Sequence, residues 1–84
     1  MTLQAFIKNR RHLIWYTKNY DGLSAESIVE ATLNYGDWND VQALIKILGI
    51  RKTAEIFKRK SRQKRSNYDP KVRHYFELYF KAHA

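Results

Sequence analysis

The chain contains no cysteine. That absence excludes a disulfide staple and a thiolate metal centre, and it fits a reducing compartment. No apolar run approaches the ~20 residues that span a bilayer. The opening stretch MTLQAFIKNRRHLIWY lacks the order of a secretory signal, in which charge comes first and a long apolar segment follows. Together these absences give the expectation of a soluble, cytoplasmic protein with no membrane contact. Glycine and proline are scarce, at three and one, and no glycine-rich phosphate loop is present. Acidic residues are few too, eight against sixteen lysines and arginines.

What remains is a chain of 84 residues, the length of one small domain. So short a chain buries a limited core, and its margin of stability is thin. Its twelve aromatic residues offset this, because each buries a large area. They fall mainly around Trp15-Tyr16-Tyr20 and between Tyr68 and Phe80. That content is too high for a disordered chain.

Charge is uneven. Residues 1–23 carry a net +3, residues 24–48 a net −3, residues 49–66 a net +7 and residues 67–84 a net +1. Nearly all of the +8 excess therefore lies between Gly49 and Ser66. Such a block acts on polyanions or acidic partners through its field.

Apolar spacing predicts an all-α protein. Leu3, Phe6, Ile7, Leu13 and Ile14 suit a helix over 3–14, with LIWY as a possible short extended segment after Arg10 and Arg11. KNYDGLS, residues 18–24, reads as a turn. Ser24 is a good N-cap, and Glu26 suits the first turn of a helix carrying Ile28, Val29, Thr32 and Leu33 on one face. Gly36 ends that helix in a left-handed conformation, and Asp37 caps the next, with Trp38, Val41, Leu44, Ile45 and Leu48 on one stripe. Gly49 ends this helix in the same way. A third helix runs from Ile50 to Lys58, with Ala54 and Phe57 inward. KRKSRQKRSN has no apolar residue, so it predicts a helix end running into a basic linker at about 60–67. Asp69-Pro70 restarts a helix carrying Val72, Tyr75, Phe76, Tyr79 and Phe80. This helix reads either as core closing the bundle or as an interface for a second copy or a partner, and both hold if Tyr75 and Tyr79 face inward while Phe76 or Phe80 stays partly exposed. The expected fold is one compact orthogonal bundle of four or five short helices, since one- or two-residue connections force sharp corners.

IKILGIRKTAEIFKRK, residues 45–60, raises the question of a DNA-reading helix-turn-helix. Leu48 and Ile50 flank the glycine as that motif requires. Its second helix normally buries apolar residues six and nine positions beyond the glycine, where this chain has Glu55 and Lys58. The corner at Gly49 is therefore a partial match, and a structural turn is the competing reading.

The candidate nucleic-acid contacts are Arg51, Lys52, Lys58, Arg59, Lys60, Arg62, Lys64 and Arg65. Cations this dense repel one another unless a polyanion or acidic partner relieves them. Phosphate contact is the simplest use, and it carries no base information. The bland alternative is a solvated helix end. Catalysis is not expected, because His12, His74 and His83 are scattered and the acids suit helix caps. No metal or cofactor is expected.

Three stretches, LIWY (13–16), ATLNYGDWNDVQALIKILG (31–49) and SRQKRSNYDPKVRHYFELYF (61–80), resemble an uncharacterised family of short bacterial proteins. Members look like partners of nucleotidyltransferase-type toxins of the abortive-infection kind. The resemblance implies an antitoxin-like role: binding a toxin protein and its own promoter. This chain departs in having Thr53 where the family has a larger aliphatic residue, and in a more basic linker. The second departure directs the block toward nucleic acid, DNA ahead of RNA. A homodimer is a further expectation. The alternative is a helical interaction module, an inhibitor or adaptor, that meets an acidic protein and no nucleic acid.

Overall fold

Five α-helices and one 3-10 turn account for the regular structure of the computed structural model, which describes residues 2–15, 22–62 and 68–84. They are α1 (Leu3–Lys8), the 3-10 turn Arg11–Leu13, α2 (Ala25–Tyr35), α3 (Trp38–Leu48), α4 (Ile50–Ser61) and α5 (Pro70–His83). No strand occurs among the described residues. The all-α bundle is as expected, and its 12.0 Å radius of gyration matches a compact chain of this length. The expected turn at 18–24 lies largely outside the described residues.

Local chemistry sets the helix starts. The Thr2 hydroxyl accepts from the Ala5 N–H at 3.1 Å and the Ser24 hydroxyl from the Ser27 N–H at 3.2 Å. The Asp69 carboxylate accepts from the Lys71 N–H at 2.9 Å, with Pro70 at the first helical position. At α3 the cap is reciprocal: Asp37 accepts from the Asp40 N–H at 2.8 Å and Asp40 from the Asp37 N–H at 3.1 Å. Each satisfies amides that a helix start leaves open.

The two glycine corners differ in cause. Gly49 takes φ +86° and ψ 147°, a region essentially reserved for glycine, yet a Cβ there would meet nothing within 4 Å. Gly36 is extended, at φ −75° and ψ 158°, not left-handed as expected. Its constraint is space: a Cβ would lie 2.6 Å from the Thr32 carbonyl oxygen and 3.0 Å from the Asp40 Cβ.

The expected helix over 3–14 breaks after Lys8. Arg10 is the reason. Its guanidinium lies 4.4 Å from the centre of the Phe6 ring, and its Nε donates to the Asp40 carboxylate at 2.8 Å. The chain turns there to tie the N-terminal segment to α3. Phe6, Ile7, Leu13 and Ile14 all remain fully buried on either side of the break.

The core centres on Phe57. Its ring meets Tyr68 at 5.0 Å, Phe80 at 5.4 Å and Phe76 at 6.3 Å between centroids. Ile28, Val29, Leu44 and Ile56 complete it. Buried Thr32 and Thr53 donate their hydroxyl protons to the Ile28 and Gly49 carbonyls at 2.7 and 2.8 Å, so neither hydroxyl is left unsatisfied. Burial, and then the charge of Glu30, push the Tyr68 phenol above its usual range.

Burial alone would raise the Asp40 carboxyl. The Asp37 N–H, the Arg10 guanidinium and His12 outweigh it and hold Asp40 below its ordinary value. A depressed carboxylate adds stability above its unfolded pKa and loses it as pH falls through the folded one. Asp40→Asn is therefore expected to cost about 1–2 kcal/mol at neutral pH. The gap to wild type should close in urea titrations below roughly pH 4.

Candidate nucleic-acid interface

Helix α4 carries the candidate site, and its two faces divide by chemistry. At roughly 3.6 residues per turn, Thr53, Ala54, Ile56 and Phe57 share one side, and all four are buried. Arg51, Lys52, Lys58, Arg59 and Arg62 fall within an arc of about 120° on the other side, and all five are exposed. They extend over ~16 Å of helix. Glu55 is the one acid among them. Lys60 departs from the strip: it points toward the buried side and is half-buried. Lys64 and Arg65 lie outside the described residues.

Among the described residues, Arg59 alone of these cations meets a carboxylate. Its Nη1 stands 3.8 Å from Glu26 Oε1, and exposed pairs of that kind contribute little. The strip is therefore not neutralised from within.

The two ends of α4 treat their cations differently. Lys58, Arg59 and Lys60 occupy the last turn, where they complement the helix dipole. Arg51 and Lys52 occupy the first turn, where positive charge opposes it. That turn has no acidic residue and no side-chain cap. Helix stability accounts for the first group and argues against the second.

The corner before α4 is tighter than a DNA-reading turn. Gly49 alone separates α3 from α4, where a helix-turn-helix uses about three or four residues. Glu55 and Lys58, at the positions that motif buries, are exposed. Thr53, Ile56 and Phe57 lock the helix instead.

Helix α5 adds a cation that the linear charge run did not indicate. Lys81 lines the same cleft between α4 and α5 as Lys58 and Arg62. The α5 faces also correct an expectation. Phe76 and Phe80 are 5% and 1% exposed, packed on Phe57, so neither is available to a partner. The exposed large apolar residues are Trp15 and Tyr35, at 65% and 58%, and, on and beside α5, Leu78, Tyr75 and Trp38, at 57%, 52% and 49%. Trp38 stands edge-on to Tyr79 at 5.4 Å, and Tyr79 stacks on Tyr75 at 6.4 Å. An apolar arc wider than half the helix hid this choice, because adjacent positions fit it equally well.

No group of three histidines, cysteines or acids that would hold a metal occurs among the described residues. His12 faces Asp40 at 3.6 Å, His83 packs on Tyr79 at 4.7 Å between rings and His74 is exposed. Among the described residues no helix is long and apolar enough to cross a membrane. No protein-family model, curated protein or solved structure matches the chain.

The dipole argument has a direct check. Lys52→Glu places a favourable charge in the first turn of α4 and is expected to stabilise the fold by about 0.3–1 kcal/mol. Thermal unfolding at low salt reads this out. A lower midpoint would mean that Lys52 serves the fold.

Proposed function

We propose that this chain is a small non-enzymatic regulator of antitoxin type, which binds nucleic acid along α4 and a protein partner through an apolar surface. The observation that carries the first part is the strip of Arg51, Lys52, Lys58, Arg59 and Arg62, exposed and almost unpaired by the molecule's own acids. The protein-binding part rests on Trp38, Tyr75 and Leu78, and the toxin as partner rests on the family resemblance. A single helix of ~10–12 Å diameter suits the ~12 Å major groove of B-form DNA. The deep, narrow groove of an RNA duplex does not admit it. DNA is therefore the preferred polyanion.

A second reading draws on the same exposed aromatics. An interaction module for an acidic protein would use Trp38 and Tyr75 as anchors and the strip to speed encounter.

Affinity for duplex DNA and single-stranded RNA, measured at several salt concentrations, separates the two. The logarithm of the binding constant should fall linearly with that of salt. Each strip cation replaced by Gln should reduce the slope by ~0.9 on duplex DNA if it neutralises one phosphate. Lys60→Gln, off the strip, should leave the slope nearly unchanged. Failure to bind either polymer at low salt would remove the nucleic-acid reading and leave the acidic-protein one.

A further inference from the structure

The cleft between α4 and α5 differs in kind from the strip beside it. The strip presents its charges one after another along a single helix. The cleft is concave, holds about 440 Å³ and gathers Lys58, Arg62 and Lys81 around a floor formed by Phe57 and Phe80. Its size falls within the usual range for small-ligand sites.

We propose that this cleft binds a phosphate monoester, either the terminal phosphate of a nucleic-acid strand or that of a free mononucleotide. The lining side chains include one acid, Glu77, whose Oε1 is 3.9 Å from Arg73 Nε. Lys58, Arg62 and Lys81 against Glu77 leave the lining side chains at +2, and the terminal carboxylate of Ala84, which also lines the cleft, lowers this to +1. A chain-internal phosphodiester brings one negative charge, whereas a monoester brings about 1.5 to 2 at neutral pH. The additional charge therefore favours a terminal phosphate. Arg62 offers a planar fork of donors, and the two lysines offer rotatable point charges. The volume exceeds that of a phosphate group, leaving room for the sugar attached to it.

One term opposes this. The carbonyl ends of α4 and α5 both lie near the cleft, each equivalent to about half a negative charge and acting over a single turn. At α4 two of the last four carbonyls, those of Lys58 and Lys60, accept hydrogen bonds. The Arg62 N–H and the Ser61 hydroxyl both donate to the Lys58 carbonyl at 3.2 Å, and the Arg62 N–H also reaches the Lys60 carbonyl. Three full cationic charges still exceed Glu77, the Ala84 terminus and what the partly occupied carbonyls present, so the cleft stays net positive. The site shares Lys58 and Arg62 with the strip but does not require that a strand lie along α4.

The test uses the full chain with three probes: a 5′-phosphorylated oligonucleotide, its 5′-hydroxyl twin, and adenosine monophosphate. The phosphorylated strand should bind about tenfold more tightly than its twin. Lys81→Gln should abolish that preference while leaving affinity for the 5′-hydroxyl strand, with helicity by circular dichroism confirming that the variant folds. The preference should fade as pH falls below about 6, where the monoester takes up its second proton. Adenosine monophosphate should shift the amide resonances of Ser61, Arg62 and Lys81. Similar affinity for the free nucleotide and the phosphorylated strand would identify the nucleotide as the ligand, and tighter strand binding would identify the strand end. Equal binding of the twin strands with no nucleotide-induced shifts overturns the cleft and leaves the strip standing. Nucleotide-induced shifts without any strand binding uphold the cleft and overturn the strip.

Discussion

The contact of Phe57 with the α5 aromatics is the constraint on which the rest of the molecule depends. Phe57 is fully buried, and its ring touches Tyr68, Phe76 and Phe80. Those partners lie beyond the basic segment, so one side chain closes the bundle across a stretch that contributes no apolar residue of its own. Full burial of such a ring stabilises by about 1.5–3 kcal/mol, a sizeable fraction of the margin available to a small domain. It also orients α4. With Phe57 inward, helical spacing leaves Arg51, Lys58 and Arg62 outward. Core and charged surface are thus two consequences of one rotation.

Placing cations at the start of α4 runs against local preference. Each costs up to about 1 kcal/mol against the helix dipole, and Gly49 offers no side-chain cap in return. The helix forms because Thr53, Ala54, Ile56 and Phe57 bury more free energy than that local term removes. A sequence shaped by stability alone would put acids in that turn, as α2 does with Glu26 and α3 with Asp40. The same chain thus applies the dipole rule at α2 and α3, sets Lys71 of α5 behind the Asp69 cap, and at α4 places two cations with neither acid nor cap. The exception coincides with the exposed strip, and conflicts between local and global preference concentrate where a surface serves something other than folding.

Features set within a few residues were legible in the sequence. Ser24, Asp37 and Asp69 cap the helices as their identities imply, and Gly49 adopts a positive φ. The inward faces of α2 and α4 follow their spacing, and that of α3 does so except for Trp38, which stands 49% exposed. Features set between distant segments were not legible. Arg10 looked like an interruption in a helix, because its partner Asp40 is thirty residues away. Phe76 faces inward, and Tyr75 outward, only because Phe57 is where it is. Tyr68 directly follows the basic linker yet is buried, which charge density in the linker did not indicate. Lys81 stands apart from the charge run in sequence but joins it in space. Gly36 carries the same residue type as Gly49 for a different reason, and only the 2.6 Å approach to Thr32 reveals it.

The composition of the strip bears on what kind of recognition such a surface supports. Its exposed side chains are Arg51, Lys52, Glu55, Lys58, Arg59 and Arg62, with no asparagine or glutamine among them. Amide side chains are the usual readers of adenine, so that route to specificity is missing. Arginine can read guanine through a bidentate pair, but a bidentate pair requires that the helix be held at a fixed depth in the groove. In a helix-turn-helix the preceding helix supplies that depth by crossing the backbone. Here the single-residue corner at Gly49 and the rotated buried face of α4 alter that relation. A surface of this kind gains affinity from phosphate charge over most of its length and discriminates sequence weakly. On the proposed reading, selectivity must then come from a second contact, and the α4–α5 cleft is the proposed place for one.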